Sequence, residues 1–169
     1  MITTQKIVKL FSNTLASLVC LMSTYVFALE LPYSARLVLS DETDVKNISV
    51  EISTWDREKG ISRLDVRGRT TTKVFQIDGT SLTLDQMLQP IITHLNDKQF
   101  SIELYCNTKV CGGFNFRKKL TISDPPYMLV NVANYSVVTA KKNNTAVSLI
   151  ASKLGTTIYL QVARKTWSR

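Results

Sequence analysis

From Ser81 to Asn96, apolar residues recur at helical spacing. Leu84, Met87, Leu88, Ile91, Ile92 and Leu95 follow i, i+3, i+4, i+7, i+8 and i+11 and form one stripe. Thr83 followed by Gln86 suits a capping box, with Asp85 in the electropositive first turn. Pro90 removes one backbone donor inside this pattern and is expected to kink or split the helix. Elsewhere the period is two. ARLVLS at 35–40 and Ile48 to Ile52 read as short strands around a charged stretch. Leu64 to Ile77 is dense in β-branched and aromatic residues, with Gly68 marking a bulge. Trp55 sits in a polar loop, where it is expected to fold down as a flap over the core.

After the helix, Phe100, Ile102 and Leu104 alternate with Ser101, Glu103 and Tyr105 in a strand ending at Cys106. Asn107 to Val110 is the loop, Gly112 and Gly113 release the backbone, and Phe114 to Ile122 is expected to return as the partner strand. Asp124-Pro125-Pro126 ends that unit. Tyr135 to Ala140, Ala146 to Ser152 and Thr157 to Ala163 form a β-meander, turned by Asn143-Asn144 and Leu154-Gly155. The expected fold is α+β: a mostly antiparallel sheet, one long kinked helix packed on one face, and the C-terminal β-meander.

Residues 1–28 carry Lys6 and Lys9, no acid, and an interrupted apolar run closing on Val26-Phe27-Ala28. This reads as a signal peptide cleaved after Ala28. A retained anchor needs about 20 predominantly apolar residues, which the polar interruptions oppose. Val19 before Cys20 argues against a lipoprotein site. Residues 29–169 then form a single α+β domain, large enough to bury roughly 68% of its unfolded surface. Export gives the cysteines their meaning. Cys106 and Cys111, five positions apart in an oxidising compartment, are expected to close a structural loop worth about 2 kcal/mol on the chain-entropy model. Phe114 and Phe116 are expected to anchor the hairpin into the core.

The chain carries +8, which falls to +6 when the leader is removed. In an exported protein the relevant polyanions are lipid head groups and wall polymers rather than nucleic acid. Arg117, Lys118, Lys119, Lys141 and Lys142 are the candidate anion-binding residues, against a reading in which they simply solvate turns and guard strand edges. Other basic residues gather at Arg164-Lys165.

Catalytic signals are sparse. His94, the single histidine, has no nucleophile motif near it. Two oxidised cysteines and one histidine do not close a zinc site, and C-x-x-C, P-loop, G-x-G-x-x-G and EF-hand patterns are absent. Asp41, Glu42 and Asp44 read as a solvated turn. Asp65/Asp78 and Glu51/Asp56 are the carboxylate pairs that could serve as acid and base. Asn47, Asn134 and Asn143 head glycosylation sequons, relevant only to a eukaryotic secretory route. No catalytic residue, metal, cofactor or small-molecule substrate is expected.

CGGFNFR at 111–117 resembles a motif in the N-terminal periplasmic domain of some alphaproteobacterial OmpA-family proteins. VRGRTTTKVFQI at 66–77 is similar to that family's upstream strand, and AVSLIAS at 146–152 with Leu160-Gln161-Val162 to its closing strands. Asn115 stands where the family prefers Asp, and Lys118 where it prefers an aromatic. The family usually continues into a peptidoglycan-binding OmpA-like domain, which is not expected within these 169 residues, so no peptidoglycan-binding residue carries over. The resemblance implies a non-enzymatic envelope protein, periplasmic or outer-membrane-associated. Its partner would be another protein, peptidoglycan or anionic lipid.

Overall fold

The computed structural model describes Leu31 and residues 35–168. The leader expected over 1–28, its cleavage point and Cys20 lie outside these residues. Among the described residues, no helix is long and apolar enough to cross a membrane.

The fold is dominated by one six-stranded, wholly antiparallel sheet in the order β1-β2-β6-β5-β4-β3. Its strands are β1 (Arg36–Glu51), β2 (Arg63–Ile77), β3 (Ser101–Asn107), β4 (Tyr135–Lys142), β5 (Thr145–Leu154) and β6 (Thr157–Trp167). The helices are α1 (Leu84–Asp97), α2 (Thr108–Cys111) and α3 (Gly113–Arg117). This corrects the expected α+β class with its long kinked helix. α1 has 14 residues, about 21 Å of helix, against strands of up to 16 residues. Pro90 is exposed and lies within one continuous helix; the ring removes only the donor to the Gln86 carbonyl. Thr83 and Gln86 form the reciprocal capping box.

β1 runs unbroken through Asp41–Asn47, which its charge had marked as a break between two short strands. An edge strand needs no apolar alternation where both of its faces are wet; backbone pairing with β2 suffices. The register slips between Thr43 and Lys46, opposite Thr70 to Gly68. A Cβ on Gly68 would meet the Thr166 carbonyl oxygen at 2.2 Å, so β2 and β6 approach there only because 68 is glycine.

Six apolar residues of α1 cover the first face of the sheet, against Ile77, Val138, Ala140, Val147, Leu149, Ile158 and Leu160. The second face carries Val74, Leu104, Cys106, Tyr135, Val137 and Ile150, packed under Cys111, Phe116 and Met128. The expected return strand over Phe114–Ile122 is therefore a correction too. The edge of β3 is taken by β4, with Cys106 opposite Val137. The intervening chain lies across the second face instead, placing Leu120 and Ile122 on it. A register shift between Ile102 and Leu104 also breaks the simple alternation of β3: Phe100 and Ile102 face α1, whereas Leu104 and Cys106 face the second layer.

Replacing Pro90 with Ala restores a helical donor at an exposed site, offset by a looser unfolded chain. The expected gain is about 1–2 kcal/mol in urea unfolding, with no change in the far-ultraviolet spectrum.

Candidate functional site: a disulfide knuckle and a polar groove

Where β3 ends, the chain turns through α2 and α3 into a compact knuckle. Cys106 and Cys111 are joined by a disulfide, both buried, with Cα atoms 5.1 Å apart. Gly112 links the two helical turns at φ +111°, and a Cβ there would lie 2.6 Å from Trp55 Cβ. Trp55 packs over this layer, and its backbone N–H donates to the Cys111 carbonyl at 2.8 Å. From below, the fully buried Tyr135 donates its hydroxyl to the Gly113 carbonyl at 2.7 Å. Burial pushes the Tyr135 hydroxyl up to about 12.

Phe116 is completely buried, but Phe114 is 57% exposed and does not anchor the core. The reason is local: the segment is helical, and only one side of a five-residue helical turn reaches the sheet. Val110, at 67% exposure, joins Phe114 on the outer side of the knuckle.

The candidate basic residues do not form one patch. Lys118 and Lys119 are exposed at the end of α3, and Arg117 is half-buried with its Nε unpartnered. Lys141 and Lys142 stand at the far end of β4, six and seven residues beyond Tyr135, or about 20 Å along the strand. Lys142 donates to the Lys98 carbonyl at 2.8 Å, serving the C-terminal end of α1.

The carboxylates of the pair Asp65/Asp78 are also separated. Asp65 accepts a hydrogen bond from Ser49, while Asp78, about 40 Å further along β2, pairs with Arg36 and accepts from Thr157. Asp56 accepts the Lys59 and Glu58 amides, Lys59 first in effect, and these bonds hold its pKa below the usual value. His94 lies in the last turn of α1. Among the described residues, no group of three or more His, Cys, Asp or Glu is placed to hold a metal ion.

A polar site that the sequence reading missed lies on the second face. Glu51 is 4% exposed and sits between two cations: Lys165 Nζ at 3.5 Å and Arg63 Nε at 3.8 Å. Lys165, itself buried, also donates to the Ser49 carbonyl, and Arg63 donates to the Lys119 carbonyl at 2.5 Å. Beside this cluster runs a groove of about 450 Å³, floored by Ile48, Val137, Ile150 and Ala163 and rimmed by Leu120 to Ser123. Gln161 clamps that rim: its Oε1 accepts the Ser123 amide at 2.8 Å and its Nε2 donates to the Thr121 carbonyl at 2.9 Å. Ser148 lines the groove, and Thr139 stands opposite it in the β4–β5 register. Both hydroxyls are buried without a hydrogen-bond partner.

No protein-family model matches this chain, and the search of curated proteins gives no match either. The geometry of the site therefore carries the functional argument.

Cys106→Ser or Cys111→Ser should lower stability by roughly 2 kcal/mol in urea unfolding under oxidising conditions. Gly112→Ala should cost more than Gly113→Ala. Both glycines have positive φ, but only the first Cβ meets Trp55.

Tyr135 generates an alkaline prediction. Its folded-state pKa is raised, so its contribution is intact below pH 10, falls as pH rises past that value, and is lost by about 12. Tyr105 adds to the same limb, raised first by burial and then by the Asp85 carboxylate that accepts its hydroxyl. In urea unfolding across this range, Tyr135→Phe should flatten most of the decline. At neutral pH it should cost about 1 kcal/mol through loss of the bond to Gly113.

Proposed function

We propose that this chain is a non-enzymatic exported protein of the cell envelope, periplasmic or outer-membrane-associated, that presents its disulfide knuckle to an envelope partner. The observation that carries the reading is the Cys106–Cys111 bond in the layer that covers the second face. A structural bridge at that point suits an oxidising compartment; a reducing cytosol would hold the pair as thiols. The reading agrees with the leader-like residues 1–28 and with the family that CGGFNFR resembles.

A second reading is favoured by the outer side of the knuckle. Phe114 and Lys118, both exposed, are one helical turn apart, and Lys109, Val110 and Lys119, close to them in sequence, are exposed as well. Apolar side chains beside lysines suit an anionic lipid head-group layer or wall polymer. Lys141 and Lys142 fall outside that patch.

One set of measurements tests both readings. The whole chain expressed in a Gram-negative host should appear in the periplasmic fraction. Its intact mass should correspond to loss of residues 1–28 and of the two thiol hydrogens. Cytosolic material with free thiols and an uncleaved leader would refute export. The same material should co-sediment with phosphatidylglycerol vesicles or purified peptidoglycan at low salt, less so at high salt, and weakly after Lys118→Glu with Lys119→Glu. Absence of sedimentation at low salt removes the second reading and leaves the first.

A further inference from the structure

Register explains why the second face carries a groove. Three rows of side chains cross that face, two residues apart along each strand. In the first row Val74, Gln161, Ile150 and Val137 stand side by side. The cover lies on this row, held where Gln161 bonds residues 121 and 123. In the third row Thr43, Thr70 and Lys165 are neighbours. The far end of β1 is tied down there, because Lys165 donates to the Ser49 carbonyl and stands 3.5 Å from Glu51. Between these two rows run Asp41, Thr72, Ala163 and Ser148, all four lining the groove. Thr72, Ala163 and Ser148 are short, so a trough of about 450 Å³ stays open between the cover and β1.

The trough has the chemistry of an uncharged site. The charged residues that line it, Asp41, Lys46, Glu51 and Lys165, cancel, and the two buried ones hold each other. An ion entering it would lose its water and meet no spare counter-charge. Asp41 and Lys46 are exposed and mark the mouth. Ser148 lies three strands further in, about 14 Å from Asp41 at ordinary strand spacing. It is 7% exposed, and its hydroxyl has no hydrogen-bond partner. Alanine would fill the same place without that cost, so the hydroxyl points to a ligand that supplies the missing bond. The walls contributed by Ile122, Val137 and Ile150 are apolar. We propose that the trough binds an uncharged, single-chain aliphatic alcohol, its hydroxyl bonded to Ser148 and its chain laid over Ala163 and Thr72. The proposal stands independently of the envelope reading.

1-Octanol is the probe, compared with octanoate and octyltrimethylammonium, which share its chain length but carry a charge. In calorimetry 1-octanol should bind the purified protein saturably, and each ion about tenfold more weakly or not at all. Ser148→Ala should melt at or above the parent without ligand and bind 1-octanol about fivefold more weakly. Should that variant misfold, Thr72→Phe, at a half-buried position, fills the trough from β2 and should abolish binding. The proposal is overturned if 1-octanol binding does not saturate, if the three amphiphiles bind alike, or if a folded variant keeps the parent's affinity. It is overturned equally if Ser148→Ala lowers the melting temperature and leaves binding unchanged, the result expected if Ser148 and Thr139, opposite each other in register, bond to one another.

Discussion

A sheet buried on both faces must be covered twice, and among the described residues one helix of any length is there to do it. β4 and β5 are buried along nearly their whole length, so neither face can be left to water. α1 closes the first face with a regular apolar stripe. The second face is closed by about thirty residues between β3 and β4 that form only two short helical turns, together with the Trp55 loop. Irregular chain supplies few internal hydrogen bonds of its own, and most features of the second layer follow from that shortage.

Covalent and polar ties replace the missing regularity. The disulfide fixes the start of the cover to β3, Trp55 bonds to it from outside, and Tyr135 reaches up from the sheet to Gly113. Ser152 holds the far end by accepting the Asn131 amide and donating to the Asn134 carbonyl, and Gln161 grips residues 121 and 123. These polar side chains sit on buried strands because the cover's backbone needs partners there. Where the cover stops short of β1, the groove remains. The Glu51 cluster at that margin is held by two cations, and removing either would leave a buried charge less well compensated.

The regular half of the molecule was legible in the sequence because its signals are periodic. The stripe from Leu84 to Leu95 and the Thr83–Gln86 box mark α1 to within about two residues. The second layer was legible in its disulfide, in Phe116 and in the Trp55 flap, but not in its path. Phe114, Asn115 and Phe116 alternate like a strand, yet Gly112 at positive φ and the occupied edge of β3 send the segment into a helical turn. β1 was underestimated because its charged centre earns its place through backbone pairing alone. The polar site was hidden by its own pattern. Thr139, Ser148, Gln161 and Lys165 alternate with apolar residues as solvent-facing positions would, and only the presence of a second layer buries them. The signal that could have exposed them was composition: the run from Leu120 to Val130 is apolar enough to require a surface to lie on, and the polar side of the meander is the surface available.

The two coverings also differ in the chemistry they allow. Under α1 the buried cluster is apolar throughout, and a regular close-packed core has no place for a polar group without a partner. Under an irregular cover, polar residues can be buried, oriented and left partly unsatisfied. The residues in question project from β4, β5 and β6 in the middle of the sheet, where pairing on both sides fixes backbone position and register. A one-residue slip of β5 would carry Ser148 to the face of α1 and expel Val147 and Leu149 from it, so the apolar face enforces the geometry of the polar one. The diagonal spacing of Ser148 and Lys165 is therefore held by contacts on the opposite side of the sheet. The polar positions of the second face are thus set by the core rather than by their own neighbours.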